Sequence, residues 1–167
     1  MPAKRAPTYE DLAERMRAIQ PKLKRRKLTV ATAESCTGGL LGAVLTEHSG
    51  SSDHYLGGAV VYSNQAKTIF ADVPADLIHG HGAVSSVVAG ALARGARQRL
   101  GAKIGLGITG IAGPTGATPG KPVGLVYVAV DSDRHSAVRT LRLGFDRVGN
   151  RLASVATALD LLEEAVS

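Results

Sequence analysis

The chain has 167 residues, 44% apolar and 20% charged, a balance expected of one globular domain with a sizeable core. A single cysteine, Cys36, excludes an internal disulfide framework, no His and Cys set has the spacing of a structural zinc site, and 4% aromatics without Trp leave little to stack single-stranded nucleic acid. The net charge of +6 lies largely in Lys22, Lys24, Arg25, Arg26 and Lys27, which read as a solvated face rather than a nucleic-acid surface. No apolar run approaches the ~20 residues of a membrane span, and no apolar segment follows Lys4 and Arg5, so a cytoplasmic protein without membrane contact is expected.

Residues 1–7 are expected to be a disordered tip on a single domain spanning residues 1–167. Across residues 9–24, Leu12, Met16 and Ile19 recur at helical spacing, with Pro21 as an interruption. Residues 28–33 read as a buried strand and 37–48 as the helix after it; a second strand over 57–63 leads into a short helix over 64–70 and a further helical turn over 74–79. Ser85 has the position of an N-cap for a helix to about Leu100, with Val88, Leu92 and Ala96 on one face and Gly101 as its stop. Strands are predicted over 104–108 and 124–130, separated by the Gly- and Pro-rich stretch 110–122, whose length between two central strands favours a binding loop. Residues 136–143 read as an edge strand reached by a hairpin around 131–134, and Val148, Leu152, Val155, Leu159, Leu162 and Val166 form the stripe of a last helix. This order implies an α/β fold, a three-layer α/β/α sandwich around a mixed, mainly parallel sheet.

Ser35 stands in Ala33-Glu34-Ser35-Cys36-Thr37-Gly38-Gly39, between the first strand and its helix. A hydroxyl on such a turn faces the unpaired N–H groups of the helix start, and two glycines let a substrate approach, so nucleophile and oxyanion donors could share one turn; the same residues also suit plain turn and capping chemistry. Cys36 is a rival nucleophile, though a lone cysteine beside an apolar strand is more often a small buried residue. Thr109, Gly110 and Gly113 belong to a loop able to offer clustered N–H groups to an anion. Arg147 and Arg151, four apart, could put two guanidinium groups toward a phosphate or could simply solubilise a surface. His79 and His81 lack a strand-like setting for a metal pair, and no metal is expected. Glu34 either orients the turn or points away from it.

Four segments, Thr32-Ala33-Glu34-Ser35-Cys36-Thr37-Gly38-Gly39, Tyr62-Ser63-Asn64-Gln65-Ala66-Lys67, His81-Gly82-Ala83-Val84-Ser85 and Thr109-Gly110-Ile111-Ala112-Gly113-Pro114, occur in this order with Gly120-Lys121-Pro122-Val123-Gly124 following. Together they closely resemble the CinA C-terminal domain family of nicotinamide-nucleotide amidases, from about Tyr9 to Leu162. The resemblance implies a three-layer domain that hydrolyses nicotinamide mononucleotide to nicotinic acid mononucleotide and ammonia in pyridine-nucleotide salvage, through a serine acyl-enzyme and without metal or cofactor. It also implies self-association, with a dimer as the expected form. Ser35 would be the nucleophile, Lys67 its base with His81 in reserve, and Tyr62 a residue that relays or orients the proton. Thr37, Gly38, Gly39, Thr109, Gly110, Gly113, Arg147 and Arg151 would bind the substrate. A lysine working as a base near pH 7 must lie well below its ordinary value of about 10.4, which asks for roughly 4–5 kcal/mol of destabilisation of the ammonium, and burial must supply most of it. Many relatives carry this domain behind a larger metal-dependent pyrophosphatase domain, an activity expected to be absent here. A different class of function, a non-catalytic nucleotide-binding or partner-binding module of the competence/damage-inducible type, uses the same fold.

Overall fold

The computed structural model describes residues 5–167. In chain order the elements are α1 (Tyr9–Arg26), β1 (Val30–Glu34), α2 (Leu40–Leu45), a 3₁₀ turn (Ser51–Asp53), β2 (Tyr55–Val60), α3 (Asn64–Ala71), α4 (Ala75–His81), α5 (Ser86–Leu100), β3 (Ile104–Gly110), β4 (Leu125–Ser132), β5 (Ser136–Arg142) and α6 (Arg147–Ala165). The strands lie in the order β2-β1-β3-β4-β5, parallel across β2, β1 and β3 and antiparallel from β3 to β4 and β4 to β5. Four strands therefore share one direction and β4 alone opposes them, which is the mixed, mainly parallel sheet of an α/β sandwich. No helix among the described residues is long and apolar enough to cross a membrane.

Each face of the sheet has its own core. Leu12, Met16, Ile19 and Leu23 of α1, Leu41 and Leu45 of α2 and Val155, Leu159 and Leu162 of α6 cover one face through Val30, Leu106 and Val128. Val88, Leu92 and Ala96 of α5 cover the other through Ala31 and Ala33, together with Ala71 and Ile78 from α3 and α4. Because β1 leads through α2 on one face to β2, and β2 through α3–α5 on the other face to β3, the crossovers part around β1. That divergence opens a crevice beyond the C-terminal ends of β1 and β3, where ligands of such sheets bind.

Several element boundaries differ from those expected, for local reasons. Pro21 does not interrupt α1: it lies on the solvent side, where Leu12, Met16, Ile19 and Leu23 keep their stripe and water can serve the backbone carbonyl that a proline leaves without a donor. Helix α2 is six residues rather than a run over 37–48, because Gly38 and Gly39 take φ values of 59° and 99° ahead of it and the Thr46 hydroxyl turns back onto the Gly42 and Ala43 carbonyls behind it. Strand β2 starts two residues early and ends at Val60, because Ser63 already caps α3 by accepting from the Ala66 N–H. Of the tip expected to be disordered, 1–4 lie outside the described residues, whereas Arg5 pairs with Asp11 at 3.9 Å and Thr8 forms a capping box with Asp11.

Helix α5 lies against the centre of the sheet, and against the end of α3, at distances that side chains would forbid. A Cβ on Gly105 would fall 1.9 Å from the Ala93 carbonyl oxygen, and one on Gly95 would fall 1.7 Å from that of Ala71. Gly95→Ala is therefore expected to lower the unfolding free energy by about 2 kcal/mol or more, since backbone must move. Gly80→Ala in α4, where a methyl meets nothing within 4 Å, should leave it unchanged or raise it by about 0.5 kcal/mol. Denaturant titration of the two variants checks the contrast.

His54, between the 3₁₀ turn and β2, is completely buried with neither ring nitrogen in a regular hydrogen bond. Burial holds its pKa below the ordinary value of 6.5, with the nearby Leu45 carbonyl and Asp53 offsetting only part. The unfolded chain takes up this proton at about 6.5 and the folded chain only at lower pH, so the unfolded state holds more protons between the two and stability falls as pH drops through that window. Thermal melts from pH 7.5 to 5 should show a shallower decline for His54→Leu than for the wild type.

Candidate functional site

The parallel ladder continues one residue past β1, with the Ser35 N–H donating to the Ile108 carbonyl at 2.9 Å, before the chain turns toward α2. Ser35 thus sits over the C-terminal ends of β1 and β3, mostly buried, with its hydroxyl at the crevice. Its Oγ lies 3.2 Å from the Nζ of Lys67, carried by α3. The Ser63 cap sets the entry angle of that helix, so its first turn directs Lys67 inward beneath the turn, where the side chain is only 2% exposed.

The amine lies 2.9 Å from the Val61 carbonyl and 3.3 Å from that of Tyr62, and donates to both. Burial lowers the pKa of Lys67 from its ordinary value of 10.5, and a Cys36 thiolate would oppose this. That opposition is weak at neutral pH, because burial pushes the Cys36 thiol itself up to about 11 and keeps it uncharged. A neutral amine with its two N–H groups on the two carbonyls keeps its lone pair for the Ser35 O–H, which is the arrangement of nucleophile and base.

Ser35, Cys36, Lys67, Asn64 and Tyr62 line one cavity of about 340 Å³ with Thr109, Gly110, Gly113 and Arg147. A larger cleft of about 460 Å³ lies at the opposite end of the sheet, beside Arg26, Lys103 and His135; the hydroxyls of its two serines, Ser132 and Ser167, donate to the His135 and Glu163 carbonyls and not to Lys103. Tyr62 is 62% exposed at the rim and its hydroxyl accepts from Arg147 at 3.2 Å, bonding to neither Ser35 nor Lys67. Arg147 also donates to the Gly113 carbonyl at 2.7 Å, tying the start of α6 to the glycine-rich loop. Arg151, one turn on, leaves the cavity and donates at 2.8 Å to the Thr37 carbonyl, bracing the turn from behind. Two arginines at helical spacing thus do different work, one at the rim and one beneath the turn.

The helix start does not offer its N–H groups as expected. The Gly39, Leu41 and Gly42 N–H groups all point at the buried Glu34 carboxylate, the Thr37 hydroxyl joins them, and the Gly38 N–H goes to the Ser35 carbonyl. Thr37, Gly38 and Gly39 all lie outside the cavity lining, Thr37 fully buried and the two glycines without a free donor. No acceptor among the described residues takes the N–H of Cys36 or Thr37, and these remain as the donors of the turn. His81 is exposed at the end of α4 and does not line the cavity, so the structure does not bring it to Ser35 as a second base. His79 shares that exposed end of α4.

Further side chains brace the site, of which Asn150 has no signal in the sequence. Buried Asn150 donates to the Ala112 carbonyl at 3.0 Å and accepts from the Phe145 N–H at 3.1 Å, fixing the inner part of the loop to α6. Lys121 donates to the His81 carbonyl at 3.1 Å and Thr109 to that of Ala83 at 2.8 Å, joining the same loop to the α4–α5 connection. Of the basic run, Lys24 pairs with Asp53 at 3.0 Å and Arg26 donates to the Ser167 carbonyl at 2.8 Å, so part of its charge is spent within the fold. With a pKa near 11 and a buried sulfur, Cys36 is expected to react with iodoacetamide at pH 8 about 100-fold more slowly in the folded than in the unfolded chain, as mass spectrometry of timed samples would record.

The model of the CinA C-terminal domain matches residues 12–166. A CinA-like protein of Koribacter versatilis is 53% identical over 142 residues, covering 85% of this chain and 34% of the relative, and one from Citrifermentans bemidjiense is 46% identical over 153 residues, covering 92% and 36%. The chain thus spans about a third of the length of the curated relatives it matches. Among solved structures, the competence/damage inducible protein CihA from Agrobacterium tumefaciens superposes with a TM-score of 0.90 at 38% identity, covering 98% of this chain and 99% of that one. A competence-damaged protein (CinA) superfamily protein from Escherichia coli gives 0.87 at 31% identity, covering 95% and 90%. The match over residues 12–166, with relatives about half identical along most of the chain and solved structures that superpose on nearly all of it, places this protein in the CinA C-terminal domain family.

Proposed function

We propose that this chain is a nicotinamide-nucleotide amidase, and the observation that carries the proposal is the 3.2 Å approach of the buried Lys67 amine to the Ser35 hydroxyl. The neutral amine takes the hydroxyl proton as Ser35 Oγ bonds to the carboxamide carbon of nicotinamide mononucleotide. The carbonyl oxygen becomes an oxyanion, held by the free N–H groups of Cys36 and Thr37. Collapse of this intermediate breaks the carbon–nitrogen bond, Lys67 returns its proton to the nitrogen, and ammonia leaves an acyl-serine. Water then gives its proton to Lys67, attacks the acyl carbon and releases the nicotinate product with Ser35 reprotonated.

The phosphate needs donors and positive charge but no base. Arg147 and the N–H groups of Ala112 and Gly113, which no acceptor among the described residues takes, fit that task, whereas the Ile111 N–H is spent on the Leu125 carbonyl and Thr109 and Gly110 belong to β3; the cavity of about 340 Å³ falls in the range of small-molecule sites. In this scheme Tyr62 acts with Arg147 at the rim, orienting the bound ribose phosphate rather than relaying a proton. Thr37 contributes its backbone, while Gly38, Gly39 and Arg151 shape the turn. A second reading, a partner-binding module of the competence/damage-inducible type, draws on the name of the Agrobacterium relative.

Purified protein given nicotinamide mononucleotide should release ammonia at a rate unchanged by chelator. Ser35→Ala should lose about 10³-fold or more in kcat, Lys67→Met about 10²-fold or more, and Cys36→Ala less than about threefold. The plot of kcat/KM against pH should rise with unit slope up to the lowered pKa of Lys67, since the reactive form is the deprotonated amine. Turnover that survives Ser35→Ala would sink the mechanism, and a folded wild type without turnover would favour the partner-binding module.

A further inference from the structure

The carboxylate of Glu34 is 2% exposed and lies beside the proposed nucleophile, yet no lysine or arginine among the described residues pairs with it. Four donors hold it instead. Oε2 accepts from the Thr37 hydroxyl at 2.6 Å, the Gly39 N–H at 3.2 Å and the Leu41 N–H at 3.0 Å, and Oε1 from the Gly42 N–H at 2.9 Å. The backbone of the same residue is fixed on both sides, between Ile108 of β3 and Val60 of β2, and its carbonyl accepts from the Val61 N–H at 2.7 Å.

We propose that Glu34 is the positioning residue of the nucleophile turn: by gathering the first N–H groups of α2 and the Thr37 hydroxyl, it sets where Ser35 Oγ and the Cys36 and Thr37 N–H groups stand. The proposal rests on Ser35 being the nucleophile. Only two residues, Ser35 and Cys36, separate Glu34 from Thr37, and both ends of that span are pinned to one carboxylate, so the two form a short arch with little freedom. Arg151 holds the arch from the other side through the Thr37 carbonyl. The clamp also closes the start of α2 to anions, leaving the Cys36 and Thr37 N–H groups to face a developing negative charge. Displacement of reacting atoms by about 1 Å costs about 10²-fold in rate, so loosening the arch should fall on kcat rather than on substrate affinity.

Glu34→Gln retains one acceptor oxygen that can keep the Thr37, Gly39 and Leu41 bonds, but turns an N–H group against Gly42. Glu34→Ala removes all four. For variants that remain folded by circular dichroism, kcat for ammonia release should fall about 10-fold in Glu34→Gln and about 10²-fold or more in Glu34→Ala, with KM within about threefold of wild type. The rate at which a fluorophosphonate labels Ser35, followed by mass spectrometry, should fall in the same order. Wild-type kcat and labelling in a folded Glu34→Ala protein, or a loss confined to KM, would overturn the proposal. Should Glu34→Ala fail to fold, Glu34→Gln decides alone: an undiminished labelling rate overturns the proposal and a reduced one supports it. If the wild type is labelled at Ser35 but releases no ammonia from nicotinamide mononucleotide, the substrate is wrong and the labelling rates still decide the role of Glu34. No labelling of the wild type removes Ser35 as nucleophile and this role with it.

Discussion

An amine has been taken out of water and set against a hydroxyl, and most of the local architecture exists to make that possible. Lys67 has no carboxylate beside it; its hydrogen-bonding partners are two carbonyls and Ser35. Two carbonyls can satisfy two N–H groups but cannot neutralise a positive charge, so burial here favours the uncharged amine. The buried Glu34 carboxylate does not undo this, because its charge is absorbed by the donors at the start of α2. The Glu34 carboxylate and the Lys67 amine are thereby kept out of an ion pair. Had they paired, the lysine would be held protonated and its lone pair lost.

The sheet supplies the second half of the arrangement. Strands β1 and β3 run side by side in one direction, and the chain leaves their ends toward opposite tasks, a tight turn after β1 and a long loop after β3. Close seating of α5 on the small residues of β3 gives the sheet a rigid back, so the positions of Ser35 and Thr109 relative to each other are set by the ladder and not by the loops. The long loop is then secured from three sides, by Arg147, Asn150 and Lys121.

Much of this was legible in the sequence. The apolar stripe of α6, the cap at Ser85 and the Gly-rich loop between two apolar runs follow from periodicity and turn chemistry, and those elements stand in the structure where their signals lie, except that Val148 at the start of the stripe faces outward, exposed. What eluded the sequence depends on where one side chain points. Arg147 and Arg151 share a helical spacing but reach different targets, because a turn of α6 carries the second behind the Thr37 carbonyl. A glutamate that reaches forward eight residues to cap a helix looks, as letters, the same as one that faces solvent, and its effect is to occupy the N–H groups expected to be free. Pro21 was misleading for a simpler reason: a proline breaks a helix only where its missing donor leaves a carbonyl stranded, and on the wet side of α1 water serves that carbonyl.

The three supports that α6 provides, Arg147 to the loop, Asn150 to its inner part and Arg151 to the turn that carries Ser35, all come from its first two turns. Ser35 and Lys67 are made long before them. During synthesis the growing chain therefore carries both side chains through the whole stretch from Lys67 to Arg147 without the helix that holds their surroundings in place. Assembly of the cavity is in this sense a late event, tied to the arrival of a helix whose own apolar stripe must dock on the sheet before its arginines can reach across it.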